Sequence, residues 1–485
     1  MDNKEITLDP DDWDRLRALG HIMLDDMMDH LRDVRERPIF RQVPDEVVAA
    51  FRQPPPMQGE GAEAAYRDFV ELVLGHQSNF NIDPRFWGFV VGTGSPSGML
   101  ADMLMSGLNV NMVGGPLVST MLEMQVTAWV KGLMGFPMDS GGILVSGGSM
   151  ASLLGLTVAR NTKGDIDLRK KGVQSLDRMM VLYASEEAHV CIQKSAEMLG
   201  LGSENLRMIS VDDEYRMDVA ALKERIKEDR DAGYRPFCVV GCAGTVNTGA
   251  FDPLDAIADV CTEEELWFHV DGAFGAWAQI VPGLKHLVKG MERADSLALD
   301  LHKWMYMPYD VGCVLFGSMS DQFKTFSERP DYYGMSLNAA PQFADLGFEL
   351  SRSFRALKVW MGIKEHGVAK YSALIQQNVE QAKHLAELIR AKDELELMAP
   401  VPLNTVCFRY SDPNIPDEAL DELNTQLLRR LMFSGAGAPS ETKIEGRHVL
   451  RACITNHRTT RGDLETFVES AAMMGRAMAE EMKKR

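Results

Sequence analysis

Leu266-Trp267-Phe268-His269-Val270-Asp271-Gly272-Ala273-Phe274-Gly275 is a short apolar run that stops on an acid and continues in small residues. Its length and composition suit a strand buried on both faces of a sheet. Similar runs stand on either side: Met180-Val181-Leu182-Tyr183, Phe237-Cys238-Val239-Val240 and Gly312-Cys313-Val314-Leu315-Phe316. Helix-like stretches at 149–160, 188–199, 217–229 and 253–264 alternate with them. This alternation over residues 85–320 predicts an α/β fold with a mostly parallel central sheet covered on both sides. Ligands of such sheets gather beyond the carboxyl ends of the strands. Asp271, closing its strand, is therefore aimed at the ligand crevice, unless it is only a solvated strand cap.

The flanks differ in pattern. Residues 1–80 read as a helical segment, with Asp9-Pro10-Asp11-Asp12 as an N-cap and a proline at the first helical position. Leu16, Leu19, Ile22, Met23 and Met27 follow at helical spacing, to clasp a partner or to pack on their own domain. Pro54-Pro55-Pro56 predicts an extended surface crossing. Residues 81–375 form the large α/β unit, closing with a helical pattern that starts near 350. Residues 376–485 read as a small α+β domain, with strands at Thr405-Val406-Cys407-Phe408-Arg409 and Val449-Leu450-Arg451-Ala452-Cys453-Ile454 and a last helix over 461–484.

The 485 residues are 45% hydrophobic and 25% charged, which excludes a disordered or collagen-like chain. With 51 Lys+Arg against 70 Asp+Glu the net charge is −19, so no footprint for nucleic acid or an anionic membrane is expected. No run reaches the eighteen or so apolar residues of a membrane span. Met1-Asp2-Asn3-Lys4-Glu5 shows no export signal. Seven cysteines without a C-x-x-C pair predict buried thiols in a reducing cytoplasm, and no metal site.

Three further stretches carry chemistry. Leu144-Val145-Ser146-Gly147-Gly148-Ser149-Met150-Ala151 passes from strand to helix through glycines, where free amides and a hydroxyl suit a phosphate; a plain turn has the same pattern. Leu297-Ala298-Leu299-Asp300-Leu301-His302-Lys303-Trp304 sets a lysine among apolar neighbours, where burial should lower its pKa and free the amine for attack on carbonyls. An exposed lysine at a turn is the alternative. Ala184-Ser185-Glu186-Glu187-Ala188-His189 places an imidazole past a strand end, able to stack on a flat ligand or to serve structure alone. A phosphate cradle, an acid, a ring and an amine in one crevice describe a site for pyridoxal 5'-phosphate.

From about residue 80 to 470 the chain resembles the group II pyridoxal-phosphate-dependent amino-acid decarboxylases. The likeness rests on Ser146-Gly147-Gly148-Ser149, Ala188-His189, Phe251-Asp252-Pro253, His269-Val270-Asp271-Gly272-Ala273, His302-Lys303-Trp304, the segment from Ser351 to Lys358, and Leu450-Arg451 with Ile454-Thr455-Asn456. It implies fold type I of the pyridoxal-phosphate enzymes, a homodimer and an L-amino acid as substrate. By the same resemblance, Lys303 carries the cofactor as a Schiff base, Asp271 pairs with its ring nitrogen and His189 stacks on its ring. Gly148 and Ser149 take the phosphate, Asp300 and His302 flank the cofactor, and Thr245 and Ala273 line the pocket.

Family members take a proton for Cα from a loop tyrosine, and a phenylalanine there diverts some to an aldehyde. The matching loop offers Tyr332, Tyr333 or Phe343, and the alternatives stand open. The segment around Trp87, Phe89 and Val90 resembles one lining the substrate pocket, and its aromatic content favours an aromatic substrate over glutamate. An aminotransferase, a cysteine desulfurase and a non-catalytic cofactor binder are competing readings. The His302-Lys303-Trp304 context and the absence of a reactive-cysteine loop argue against the first two.

Overall fold

The computed structural model describes residues 5–328 and 342–484. Its strands are β1 (Phe86–Trp87), β2 (Gly141–Val145), β3 (Met180–Ser185), β4 (Leu206–Ile209), β5 (Arg235–Cys242), β6 (Trp267–Asp271), β7 (Ser296–Asp300), β8 (Gly312–Phe316), β9 (Leu395–Leu397), β10 (Thr405–Tyr410), β11 (Ala438–Ile444) and β12 (Arg447–Cys453). Seven of them form one sheet in the order β2-β8-β7-β6-β5-β3-β4. Only β8 runs against its neighbours, so this sheet is mostly parallel, as expected.

Every residue of β2, β3, β6, β7 and β8 is buried, because helices cover both faces. One polar device fixes the middle. Ser296 Oγ meets both Trp267 Nε1 and His269 Nδ1 at 2.8 Å, joining β6 to β7. The helix Gly148–Lys163 lies close over this point: a Cβ at Gly155 would sit 2.8 Å from the His269 ring. A buried pair secures the far edge. Arg352 Nη2 contacts Glu123 Oε1 at 2.5 Å and the Leu144 carbonyl at 2.7 Å, holding the chain beside β2.

The smaller sheet, β1-β11-β12-β10-β9, carries the C-terminal helices Asp417–Ser434 and Arg461–Lys483. Its β1 comes from far upstream and pairs in parallel with Ala438 and Pro439. The long helix Ala356–Arg390 spans position 375–376, and its backbone leaves helical geometry at Gly367 (φ 71°).

The first helix, Trp13–Arg32, starts after the expected proline. Asp12 is its N-cap and accepts from the amides of Asp14 and Arg15 at 3.0 and 2.9 Å. Asp9 and Pro10 lie outside it, because the carboxylate that reaches two orphan amides sets the start. No helix among the described residues is long and apolar enough to cross a membrane.

Candidate active site

The strand ends of the large sheet converge on a cavity of about 750 Å³. Most lining segments of the large sheet start where a strand's backbone pairing runs out. After β2, Gly147 and Gly148 open the helix Gly148–Lys163, so its first amides face the cavity. Gly148 is required by space as well. A Cβ there would lie 2.8 Å from the Ala273 Cβ and 3.1 Å from Asp300 Oδ2.

Asp271 closes β6 and is buried. Its Oδ1 accepts from the Ala273 amide at 3.2 Å, and the Cys191 thiol points at Oδ2 from 3.9 Å. Burial raises its pKa above the usual carboxylate range, against the pull of Lys303 and the Ala273 amide. A cationic ring nitrogen beside it would restore the carboxylate. His189 lies on the cavity wall with its ring exposed, and its Nδ1 accepts from the Cys191 amide at 3.3 Å. Partial desolvation against the cavity wall lowers its pKa, despite Asp271 and Asp300 nearby, and favours the neutral ring.

Asp300 closes β7, and Lys303 follows in the short helix Leu301–Trp304. Lys303 Nζ lies 2.9 Å from Asp300 Oδ2. Here the expectation of a depressed lysine is corrected. Burial does press the pKa down, but the Asp300 carboxylate, with Asp271 beyond it, outweighs burial and raises it. The amine is held as an ammonium. His302 Nδ1 accepts from the Val311 amide at 3.1 Å, which puts its proton on Nε2, 3.5 Å from Asp300 Oδ2. Asp300 Oδ1 is buried with no partner among the described residues.

Thr245 and Ala273 also line the cavity. The Thr245 hydroxyl accepts from the Ala250 amide at 3.1 Å and meets Thr248 Oγ1 at 3.1 Å. Gly148, Ser149, His189, Thr245, Asp271, Ala273, Asp300, His302 and Lys303 are thus brought together on one cavity, joined by Phe89 and Val90.

Two expected residues are not. Trp87 is fully buried under the small sheet, its ring 5.0 Å from Phe467 and its Nε1 bonded to Thr459 Oγ1 at 3.2 Å. As half of a two-residue strand, it turns inward to the apolar core while Phe89 turns out. Phe343 is buried in the large core, with the Arg352 guanidinium 5.1 Å above its ring, and does not border the cavity of its own chain. Tyr332 and Tyr333 lie outside the described residues.

Residues not singled out for the site complete the wall. Arg451 of β12 enters from the small sheet, holding the Val246 carbonyl at 2.8 Å and Ser440 Oγ at 2.9 Å. Its Nη2 is buried without a partner among the described residues. Glu187 accepts from Asn247 Nδ2 at 3.0 Å, and Asn247 in turn accepts from Thr442 Oγ1 at 2.9 Å. Tyr309 lies on the β7–β8 connection that also carries Lys303. That shared connection was the available signal for it; Arg451 had only its place in the motif Leu450-Arg451.

Comparison with known proteins agrees with this geometry. Residues 55–411 match the family model described as the pyridoxal-dependent decarboxylase conserved domain. An aromatic-L-amino-acid decarboxylase of Bacillus atrophaeus is 33% identical over 477 residues, covering 97% of this chain and 96% of that protein. A phenylacetaldehyde synthase of Petunia hybrida is 30% identical, over 92% of this chain and 91% of that protein. Among solved structures, Oryza sativa TDC with PLP and tryptamine superposes with a TM-score of 0.89 at 26% identity, over 97% of this chain and all of that one.

Proposed function

The chain belongs to the pyridoxal-dependent decarboxylases, and from that premise we propose that it releases the α-carboxyl group of an aromatic L-amino acid as carbon dioxide and yields the amine. The observation that carries this is the lysine and two acids at the ends of β6 and β7 on one cavity. The residues fit pyridoxal 5'-phosphate. Gly148 leaves open a cradle that a side chain would fill, and Asp300 Oδ1 is a buried acceptor awaiting a donor. Gly148 and Ser149 would hold the phosphate, Asp271 the ring nitrogen, His189 the ring face and Lys303 the aldehyde carbon. When bound, the cofactor supplies a sink for the electron pair left at Cα.

The chain's own residues arrange the rest. Asp300 holds a proton on Lys303 Nζ at 2.9 Å, and His302 is fixed in one tautomer by the Val311 amide. Asp271 keeps negative charge beside the ring nitrogen, where positive charge is needed. Arg451 brings a guanidinium charge to the cavity wall, where it would attract the substrate carboxylate. Phe89, Val90 and Tyr309 form the apolar wall on which an aromatic side chain would pack. Assay of the cofactor-loaded protein should give a higher kcat/KM for tyrosine, dopa, tryptophan or phenylalanine than for glutamate. A preference for glutamate would reject the aromatic assignment.

The likeness to a phenylacetaldehyde synthase supports a second outcome of the same chemistry, oxidative conversion to the aldehyde. Simultaneous measurement of amine, aldehyde, ammonia and peroxide separates the two, and stoichiometric aldehyde with little amine selects the second.

We also propose a homodimer in a reducing cytoplasm. Met103, Leu104 and Leu108 on one helix and Leu117, Val118, Met121 and Met124 at the start of the next leave an apolar surface exposed on the single chain. All seven cysteines are buried as free thiols.

A further inference from the structure

Tyr309 borders the cavity beside Phe89 and Val90, with 47% of its surface exposed. Its ring leans on His302, with centroids 4.4 Å apart and the planes tilted by 36°. Its hydroxyl oxygen accepts from the Gly92 amide at 3.2 Å. A phenol has one proton to donate and room for two incoming donors. Nothing among the described residues takes that proton. Partial desolvation on its cavity side also raises the phenol's pKa, against the pull of the Gly92 amide and Lys303, which keeps the proton in place.

The segment holding this side chain is fixed from behind. Buried Lys358 donates to the carbonyls of Pro308 and Tyr309 at 3.1 and 3.3 Å while paired with Asp102 at 2.9 Å. Arg355 Nε bonds Asp310 Oδ1 at 2.9 Å. The hydroxyl is therefore pre-oriented, and little freedom remains to be lost when a ligand meets it.

We infer that Tyr309 is a specificity-determining residue whose free hydroxyl proton selects substrates carrying an oxygen acceptor on the aromatic ring. The inference rests on the aromatic reading of the cavity and sharpens it to ring-hydroxylated amino acids. A single well-placed hydrogen bond of this kind is read as a preference of roughly tenfold.

The test uses the cofactor-loaded enzyme and probes that lack the amine and cannot react: 3-(4-hydroxyphenyl)propionate, 3-phenylpropionate and glutarate, with dissociation constants measured by calorimetry. The wild-type protein should bind the hydroxylated acid about tenfold more tightly than 3-phenylpropionate. In Tyr309→Phe, which keeps the ring against His302, the ratio should fall to near one through weaker binding of the hydroxylated probe alone. Cofactor content and far-ultraviolet circular dichroism should stay unchanged. Tyr309→Leu should give the same loss and serves if the first variant does not fold. A wild-type protein without the preference, or a variant that retains it, overturns the inference while 3-phenylpropionate still outcompetes glutarate. If glutarate binds more tightly than 3-phenylpropionate in both proteins, the aromatic reading fails and takes the inference with it.

Discussion

Lys303 is charged in the free protein because one carboxylate stands 2.9 Å away, and that contact decides its behaviour. Replacing Asp300 by Asn leaves burial as the dominant influence, so the amine's pKa should drop from above the usual lysine value to below it. The pH profile of reductive methylation at Lys303, read by mass spectrometry on the cofactor-free protein, should shift to lower pH. An unmoved profile would remove Asp300 from this role. Trp87 gives the opposite kind of prediction. Trp87→Ala should cost about 3–5 kcal/mol of unfolding free energy, as for other buried aromatics, and leave the ratio of substrate preferences unchanged. Denaturant unfolding and a two-substrate assay check both halves. These residues also show what the sequence reveals. Asp271 could be read because a polar residue closing an apolar strand has few other places to point, and Lys303 because an amine among apolar neighbours is costly to bury unless it is paired. Trp87 could not, since a two-residue strand has no alternation to tell its inner face. Phe343, one of three loop alternatives, could not be tied to the site from sequence, because counting back from Arg355 gives a position in the chain and not a place in space.

At the level of elements, the strand-to-helix connections carry the site. The runs that became β3, β5, β6 and β8 were legible from apolar content and spacing, as was the Gly147-Gly148 opening of a helix. The reversed direction of β8 was not, because a fully buried strand reads the same both ways. Nor was the entry of Arg451, which depends on how the small sheet docks on the Val246 and Asn247 carbonyls. The Gly148 connection yields a direct prediction. In Gly148→Ala the new Cβ meets Ala273 at 2.8 Å and Asp300 at 3.1 Å. Overpacking of about 1–3 kcal/mol should weaken cofactor binding roughly ten- to hundredfold, with the fold kept. Equilibrium dialysis of pyridoxal phosphate against the cofactor-free variant measures it, and unchanged affinity would place the cradle elsewhere.

The whole molecule is tuned to neutral conditions by one buried and one half-buried histidine. His269, inside the large sheet, is depressed to about 3 by burial, and His457 to about 4 by burial with Arg458 nearby. A histidine with a depressed folded pKa stabilises the fold above its unfolded value near 6.5, and that stability is lost as the pH falls towards the folded value. His457 Nε2 meets the Gly94 carbonyl at 3.3 Å, a contact glutamine can copy. Between pH 7 and 5 the wild-type protein should therefore lose about 1–2 kcal/mol more unfolding free energy than His457→Gln, as urea titrations at the two pH values would show. Equal losses would mean that the imidazole is already charged in the folded state. The most direct test of the account weighs the intact protein. After loading with pyridoxal phosphate and reduction with borohydride, each wild-type chain should gain the mass of one reduced cofactor, located at Lys303 by peptide mapping, and Lys303→Ala should gain none. A label on another lysine, or an equally labelled variant, would contradict it.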